Sequence, residues 1–511
     1  MASKVVWLPR VLRLHGGMRI SRALRLFRVG TTPGRVRALT ALVLLSLTAL
    51  CSVIGLGVAD AREALRAVGH DEGPMVVATG DVALALSDMD AQVANVLMTG
   101  DEEGWLCEPG GDGGGCRRNP PRYSYDLRRE DAQRAVLQAA RLAEDDPVRL
   151  RTVQSVLDGL HQYDRRVQAA MELGSRGEHA YGALPANAAA EYRAATALMT
   201  QDLLPKAGNL TLDGAAIVDS TYKEERSAIR WERGRVIALG TAGVLALVTL
   251  QIYLAVRFRR LVSPLLAAAT VALAGLAVVG GSALATEADR LRVAKEDGFD
   301  PVLALSRMQS LAKSLDADRN RALLDPGEAD RYDQTYLEKS QAILYIAGVS
   351  DLEEYYTQLE QRLARYAGDP RAIGFGGFYG ARARRVATPA EHRVLVRLLS
   401  YYRAYQSNDR AVRRLAAAER AGQAARTHLD PGLPYLPHPA FRQHDQELDA
   451  TSGRHRFVTE RTVRGGESAL AVWRWALPVS ALVIAALLVA GVWPRLREYL
   501  GTPPTGGEEH G

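Results

Sequence analysis

The chain has 511 residues, 64 basic and 58 acidic, for a formal net charge of +6. Only six of the basic residues are lysine; so strong an arginine bias, with abundant alanine and glycine, reads as a high-GC bacterial coding preference rather than as guanidinium chemistry chosen site by site. The basic excess is concentrated in short flanks, and the first large polar region holds more acids than bases, so no basic face remains for nucleic acid.

In chain order, residues 1–35 form a basic N-terminal segment. The first 37 residues contain no Asp or Glu. Arg19, Arg22, Arg25 and Arg28 recur every third residue, with Ile20, Leu24 and Phe27 on one helical face. Such a helix suits an anionic lipid surface or a cytoplasmic protein partner. Four apolar segments follow at 36–59, 236–256, 262–285 and 469–493, each long enough to cross a hydrocarbon core of about 30 Å as a helix. Trp475 and Trp493 stand 18 residues apart, about 27 Å at 1.5 Å per residue, which matches an aromatic pair at the two interfaces.

Between the second and third spans lies a linker, 257–261, carrying Arg257, Arg259 and Arg260; the tail, 494–511, begins with Arg495 and Arg497. Positive short flanks stay in the cytoplasm. With four spans, the N-terminus, the linker and the tail share a side, and all three are basic. The expectation is a multi-pass protein of the cell membrane with both termini cytoplasmic and both large regions, 60–235 and 286–468, outside.

Helix signals dominate those outer regions. Leu84, Ala91, Val93, Val96 and Leu97 fall at near-helical spacing, and 130–142 is rich in good helix formers. Pro147 is placed to open a helix. A helix over 188–204 is expected to stop at Pro205, with Asp213 as the N-cap of the next. The fold class expected is all-α: four transmembrane helices and two extracytoplasmic helical-bundle domains. Duplication is part of that expectation. Asp90–Met98 aligns with Asp316–Leu324, each run follows an outward span, and each precedes a Gly-acid turn at Gly100-Asp101 or Gly327-Glu328. The second region then diverges, with a glycine patch at Gly374–Gly380, a long helix over about 390–427 and a proline-rich connector at 430–439.

Chemistry-bearing motifs are sparse. Metalloprotease, nucleophile-elbow, phosphate-loop and zinc-spacing patterns do not occur, and the expectation is a protein that is not an enzyme and needs no cofactor or metal. Cys107 and Cys116 flank a glycine-rich loop outside the membrane, where disulfides persist, and are expected to pair. Tyr401 and Tyr405, one helical turn apart, are candidates for an ectodomain interface, against a competing role in a bundle core. No span carries a central ionisable residue, which argues against an ion pump.

The layout of span, outer helical region and span, twice over, resembles the GlnX-type membrane component of an actinobacterial amino-acid-sensing module. The local resemblance lies in Tyr192–Met199 with Leu203-Leu-Pro205, in Leu86–Met98, and in Arg495–Tyr499 after the last span. The Cys107–Cys116 loop, the Gly374–Gly380 patch and the basic N-terminus are not part of it. The resemblance implies a non-enzymatic signal relay. An extracytoplasmic solute-binding lipoprotein would pass its amino-acid-bound state through the membrane to a cytoplasmic Ser/Thr protein kinase. Two other readings stand beside it: outer bundles that bind a small ligand directly, and a structural cell-envelope scaffold.

Overall fold

The computed structural model describes residues 32–99, 120–176, 184–258, 263–386, 388–418, 420–428 and 438–500. Within them the protein is all-helical, with no strand. Four of its helices are long and apolar enough to cross a membrane, as fits a multi-pass membrane protein. Contacts divide the chain into two compact units. One comprises Met1–Glu63, Glu224–Arg290 and Gly465–Gly511, and the other Ala64–Lys223 and Leu291–Arg464.

The first unit is made by the apolar parts of α1 (Thr32–Gly69), α6 (Leu204–Phe258), α7 (Pro264–Arg292) and α14 (Pro439–Leu500). Leu45, Leu245, Val271 and Leu482 point outward, as side chains facing lipid do. Small residues let these helices touch. A Cβ on Gly240 would lie 2.5 Å from that of Ala277, and one on Gly280 would lie 2.6 Å from Ile54 Cδ1. Gln251 ties α6 to α7, donating to the Leu266 carbonyl at 3.0 Å and to Thr270 Oγ1 at 2.7 Å; in hydrocarbon such bonds satisfy groups that water cannot reach.

The second unit holds the two large polar segments between the spans. Expected as two domains, they fold as one compact unit with two hydrophobic cores. The first core lies among α2 (Glu72–Thr99), α3 (Pro120–Leu142), α4 (Pro147–Ser175), α5 (Ala186–Leu198) and the start of α6. The second lies among α8 (Asp300–Leu324), α9 (Ala329–Ile343), α10 (Leu352–Gly368), α11 (Gly377–Ala383), α12 (Pro389–Ala417) and the start of α14. A short helix, α13 (Ala421–His428), adds Ala424 to the first core. The halves are joined because α2 and α8 pack along their lengths through polar side chains that neither half could leave exposed to its own core.

That central pair is parallel. Gly80 abuts Ser306, Ser87 Oγ lies 2.8 Å from Ser310 Oγ, and Asp88 lies 3.3 Å from Lys313. Further along, Asn320 Nδ2 donates to Asn95 Oδ1 at 3.2 Å. Positions 80 and 306 differ by 226, the offset that aligns Asp90 with Asp316 in the sequence and residue 36 with residue 262 at the first and third spans. The other contacts fall close to that offset, at 223, 225 and 225.

Local signals explain the helix ends. Asp146 caps α4, accepting from Val148 N at 2.9 Å and Arg149 N at 3.2 Å, with Pro147 in the first turn as expected. Pro205 does not stop the chain's helix. Its missing N–H and bulky ring are accommodated by a π-helical segment, Met199–Leu203, just ahead of α6, and Asp213 lies within α6 rather than capping a new helix. The same device recurs at Pro301, preceded by the π-segment Val293–Phe299. The Asp297 carbonyl, four residues before Pro301, instead meets the His455 ring nitrogen Nδ1 at 2.7 Å. At the corresponding place in the first half the helix breaks outright: α1 ends at Gly69 and α2 starts at Glu72. A side chain at Gly73 would collide with the Val68 carbonyl.

The glycine patch is structural. Gly377 has φ +67°, and a Cβ there would lie 2.8 Å from the Ala342 carbonyl oxygen and 2.9 Å from that of Ile343. Gly376 N donates to the Tyr345 carbonyl at 2.7 Å, seating the start of α11.

Candidate functional site

The stretch Asp316-Ala-Asp-Arg-Asn-Arg321 on α8 alternates charges and reads as a solvated helix face. Every one of its residues is buried. α8 is enclosed by α2, α9 and α12, so its charges must find partners inside the protein. Arg321 is held between Asp90 of α2 and Asp318. Asp90 also accepts from the Tyr163 hydroxyl of α4 at 2.8 Å, and Asp318 from Lys339 of α9. Arg319 bonds Asp316, donates to Asn408 Oδ1 at 3.2 Å, stands 3.7 Å from Asp409, and lies 4.9 Å from the centre of the Tyr405 ring. Asp409 in turn accepts from Tyr356, and from Arg413 Nε at 2.8 Å.

Burial acts against charge on both α8 arginines. The surrounding groups outweigh it, Asp90 and Asp318 around Arg321 and Tyr405, Asp316 and Asp409 around Arg319, and raise both above the ordinary arginine range. His428 of α13 lies 3.3 Å from Asn95 Oδ1; burial, then the charge of Arg319, pushes its ring well below the usual histidine range, so it is neutral. Not every polar atom here is met. Arg319 Nε, Arg321 Nε, Asp316 Oδ2 and Asp409 Oδ1 make no hydrogen bond among the described residues.

A second feature lies on the same helix. A cleft of about 460 Å³ opens between α2, α6 and α8, with α11 contributing Phe378. Leu212, Leu303, Met308 and Leu311 make it mainly apolar, and Gly80 and Gly208 give it depth. Its size is within the range of small-molecule sites. Arg307, exposed, stands at its edge. From Arg307 to Asp316 is about 14 Å along the helix at 1.5 Å per residue, so cleft and ionic layer share one rigid element. Among the described residues no group of His, Cys, Asp and Glu side chains is placed to hold a metal ion.

Of the two tyrosines weighed between an interface and a bundle core, Tyr405 lies in the core, 1 % exposed and packed on Phe441 at 5.2 Å between ring centres. Tyr401, on the flank of the same helix, is half-buried. The physical reason is the composition of the second core, which is built largely of tyrosines, Tyr336, Tyr355, Tyr366, Tyr379 and Tyr402 among them, each fully buried. Arg19, Arg22, Arg25, Arg28, Arg259, Arg260, Cys107 and Cys116 lie outside the described residues. Arg257 falls within α6 and Arg495 and Arg497 within α14, with side chains likewise outside the description. Arg319, Arg321, Lys339 and Asp409 were not foreseen as a cluster. The signal that could have found them is the likeness of two runs, since those beginning at Asp90 and Asp316 are the ones that meet.

Comparison with known families places one region. Residues 64–223 match the family model of an actinobacterial sensor domain. The match spans the first segment of the second unit, and so includes α2 with Asp90 and α4 with Tyr163. No curated protein and no solved structure matches the chain.

Proposed function

We propose that the protein is a non-enzymatic transmembrane sensor that relays an extracytoplasmic signal to a separate cytoplasmic protein. The observation that carries this reading is the parallel α2–α8 pair: two helices of the sensing unit, held together by a buried ionic layer. Helices α1, α6, α7 and α14 carry residues of both units. A shift of about 1–2 Å in packed helices is a common switching displacement, and two states differing by about 1–3 kcal/mol in partner affinity suffice for signalling.

The sensor-family match over residues 64–223 supports the sensing role. The repeat register of 226 supports duplication: the chain is a fused pseudo-dimer, in which α2 and α8 play the part that identical helices play at a symmetric dimer axis. Basic flanks support cytoplasmic termini, which puts the α2–α8 unit outside the cell. In the fuller reading that follows from the resemblance to GlnX-type proteins, the signal is the state of an amino-acid-binding lipoprotein and the receiver is a Ser/Thr protein kinase, approached through Arg257, Arg259, Arg260, Arg495 and Arg497. Photocrosslinkers at exposed outer and tail positions, followed by pull-down from living cells, test it. Recovery of a solute-binding lipoprotein outside and a kinase inside is expected; recovery of cell-wall proteins alone would make the chain a scaffold. Direct sensing is the second reading, and the apolar cleft on α8 favours it.

A further inference from the structure

The cleft between α2, α6 and α8 has an unbalanced charge. Arg307 stands at its edge, exposed, with no hydrogen bond or ion pair to any described residue. The repeat offset of 226 relates it to Asp81 on α2, and there the charge is answered: Arg456 of α14 donates to Asp81 at 2.8 Å. On the cleft side α6 answers with Gly208, Thr211 and Leu212, none of them charged. The acid in the wall, Asp300, is already held by Lys295 at 3.0 Å. The first half fills this position with protein; the second leaves an apolar space with a cation at its mouth.

The space is also open where α6 passes. A Cβ on Gly208 would meet nothing within 4 Å. Thr211 is engaged, donating to the Ala207 carbonyl at 2.9 Å, while the buried Ser306 hydroxyl, beside Gly80, makes no hydrogen bond among the described residues. The walls therefore select mainly by apolar contact, with the Ser306 hydroxyl as a neutral polar group and Arg307 as the charged determinant.

We propose that this cleft binds a small carboxylic acid with an apolar body, the body lying between α2, α6 and α8 and the carboxylate on Arg307. This deepens the direct-sensing reading and rests on it. A guanidinium receives a carboxylate in two parallel hydrogen bonds, and an exposed pair of this kind is weakened by salt. Apolar burial supplies the remaining affinity, so binding strengthens with chain length until the cleft is full. Because the ligand touches α8, its binding energy bears on the helix that carries Asp316–Arg321.

The test is calorimetric titration of the full chain in lipid nanodiscs with octanoate, with octanol and acetate as probes of body and charge alone. Octanoate is expected to bind about tenfold more tightly than octanol, the worth of a charge-assisted hydrogen bond, and acetate not measurably. Arg307→Gln abolishes the preference for octanoate over octanol. Gly208→Leu, which places a side chain in the open space, abolishes binding of both while leaving thermal stability equal or higher, since leucine is the better helix former. Equal affinity for octanoate and octanol in the wild type, or undiminished binding in Gly208→Leu, overturns the proposal. Octanoate binding without any change in crosslinking to a cytoplasmic partner would uphold the site and defeat the sensing role. Absence of octanoate binding with the lipoprotein and kinase crosslinks intact would defeat the site alone.

Discussion

Arg321→Leu is the most informative single substitution. The guanidinium is 1 % exposed and binds Asp90 and Asp318. Asp318 keeps Lys339 when Arg321 is removed, so the damage concentrates on Asp90, which retains only the Tyr163 hydroxyl. Removing one partner of a buried pair costs about 3–5 kcal/mol, because the other charge is left uncompensated; the surviving Lys339 contact places the expectation near the lower end, about 3 kcal/mol. Adding Asp90→Asn to the variant removes the stranded charge while keeping an acceptor for Tyr163. The double variant is therefore expected to regain about 1–3 kcal/mol over the single one, the coupling typical of residues in direct contact. Thermal unfolding of the full chain in detergent, followed by tyrosine and tryptophan fluorescence, measures both. A cost below about 1 kcal/mol, within the ordinary range for surface changes, or a double variant no more stable than the single one, would refute the buried-pair account of the α2–α8 contact.

Other outcomes follow from local geometry. His444 is buried, and burial with the nearby Lys313 charge lowers its ring from the ordinary 6.5 to about 3. Between those values the unfolded chain takes up a proton that the folded chain refuses, so stability falls as pH drops from 6.5, by about 3 kcal/mol at pH 4; His444→Gln, keeping a partner for Tyr379, should remove that part of the slope in pH-dependent unfolding. Glu353 is held down to about 2 by the hydrogen bonds from Arg410 and then Arg414, so its stabilisation is full above its ordinary value of 4.5 and is lost as pH falls toward 2. Being well exposed, it should contribute less than about 1 kcal/mol, and Glu353→Gln should converge with the wild type at the acid end. Gly377→Ala forces a side chain into a positive-φ site against two carbonyl oxygens and should cost about 1–3 kcal/mol, whereas Gly453→Ala, in α14 with nothing within 4 Å, should stabilise by about 0.5–1 kcal/mol; equal effects on the midpoint would contradict the assigned backbone.

The spans were legible because hydropathy over some twenty residues is a strong signal, and the start of α4 at Pro147 because its chemistry is local. Pro205 misled: read as a stop, it is passed by a π-segment, since the helix can widen when neighbouring elements hold it on both sides. The long helix expected over about 390–427 is instead α12 and α13, separated after Ala417, at a run of alanines and arginines that gives no stop signal. The likeness of the runs at Asp90 and Asp316 was legible, but not that the helices carrying them would pack together. Burial of Asp316–Arg321 comes from elements hundreds of residues away closing over α8, and nothing in an alternating charged stretch distinguishes that from a wet surface. The tyrosines carried the same ambiguity, since a ring with a hydroxyl serves a core as well as an interface, and Tyr355, whose hydroxyl meets the Ser340 and Leu344 carbonyls and Tyr402, serves the core.

Sidedness underlies the whole functional account, and labelling reads it directly. In a chain whose own three cysteines are changed to serine, Arg134→Cys and Glu360→Cys put single thiols on exposed positions of the two outer segments, and Thr505→Cys puts one in the tail. With a membrane-impermeant maleimide, the first two should react in intact cells and the third only after lysis. The reverse pattern would place the sensing unit in the cytoplasm and contradict the account.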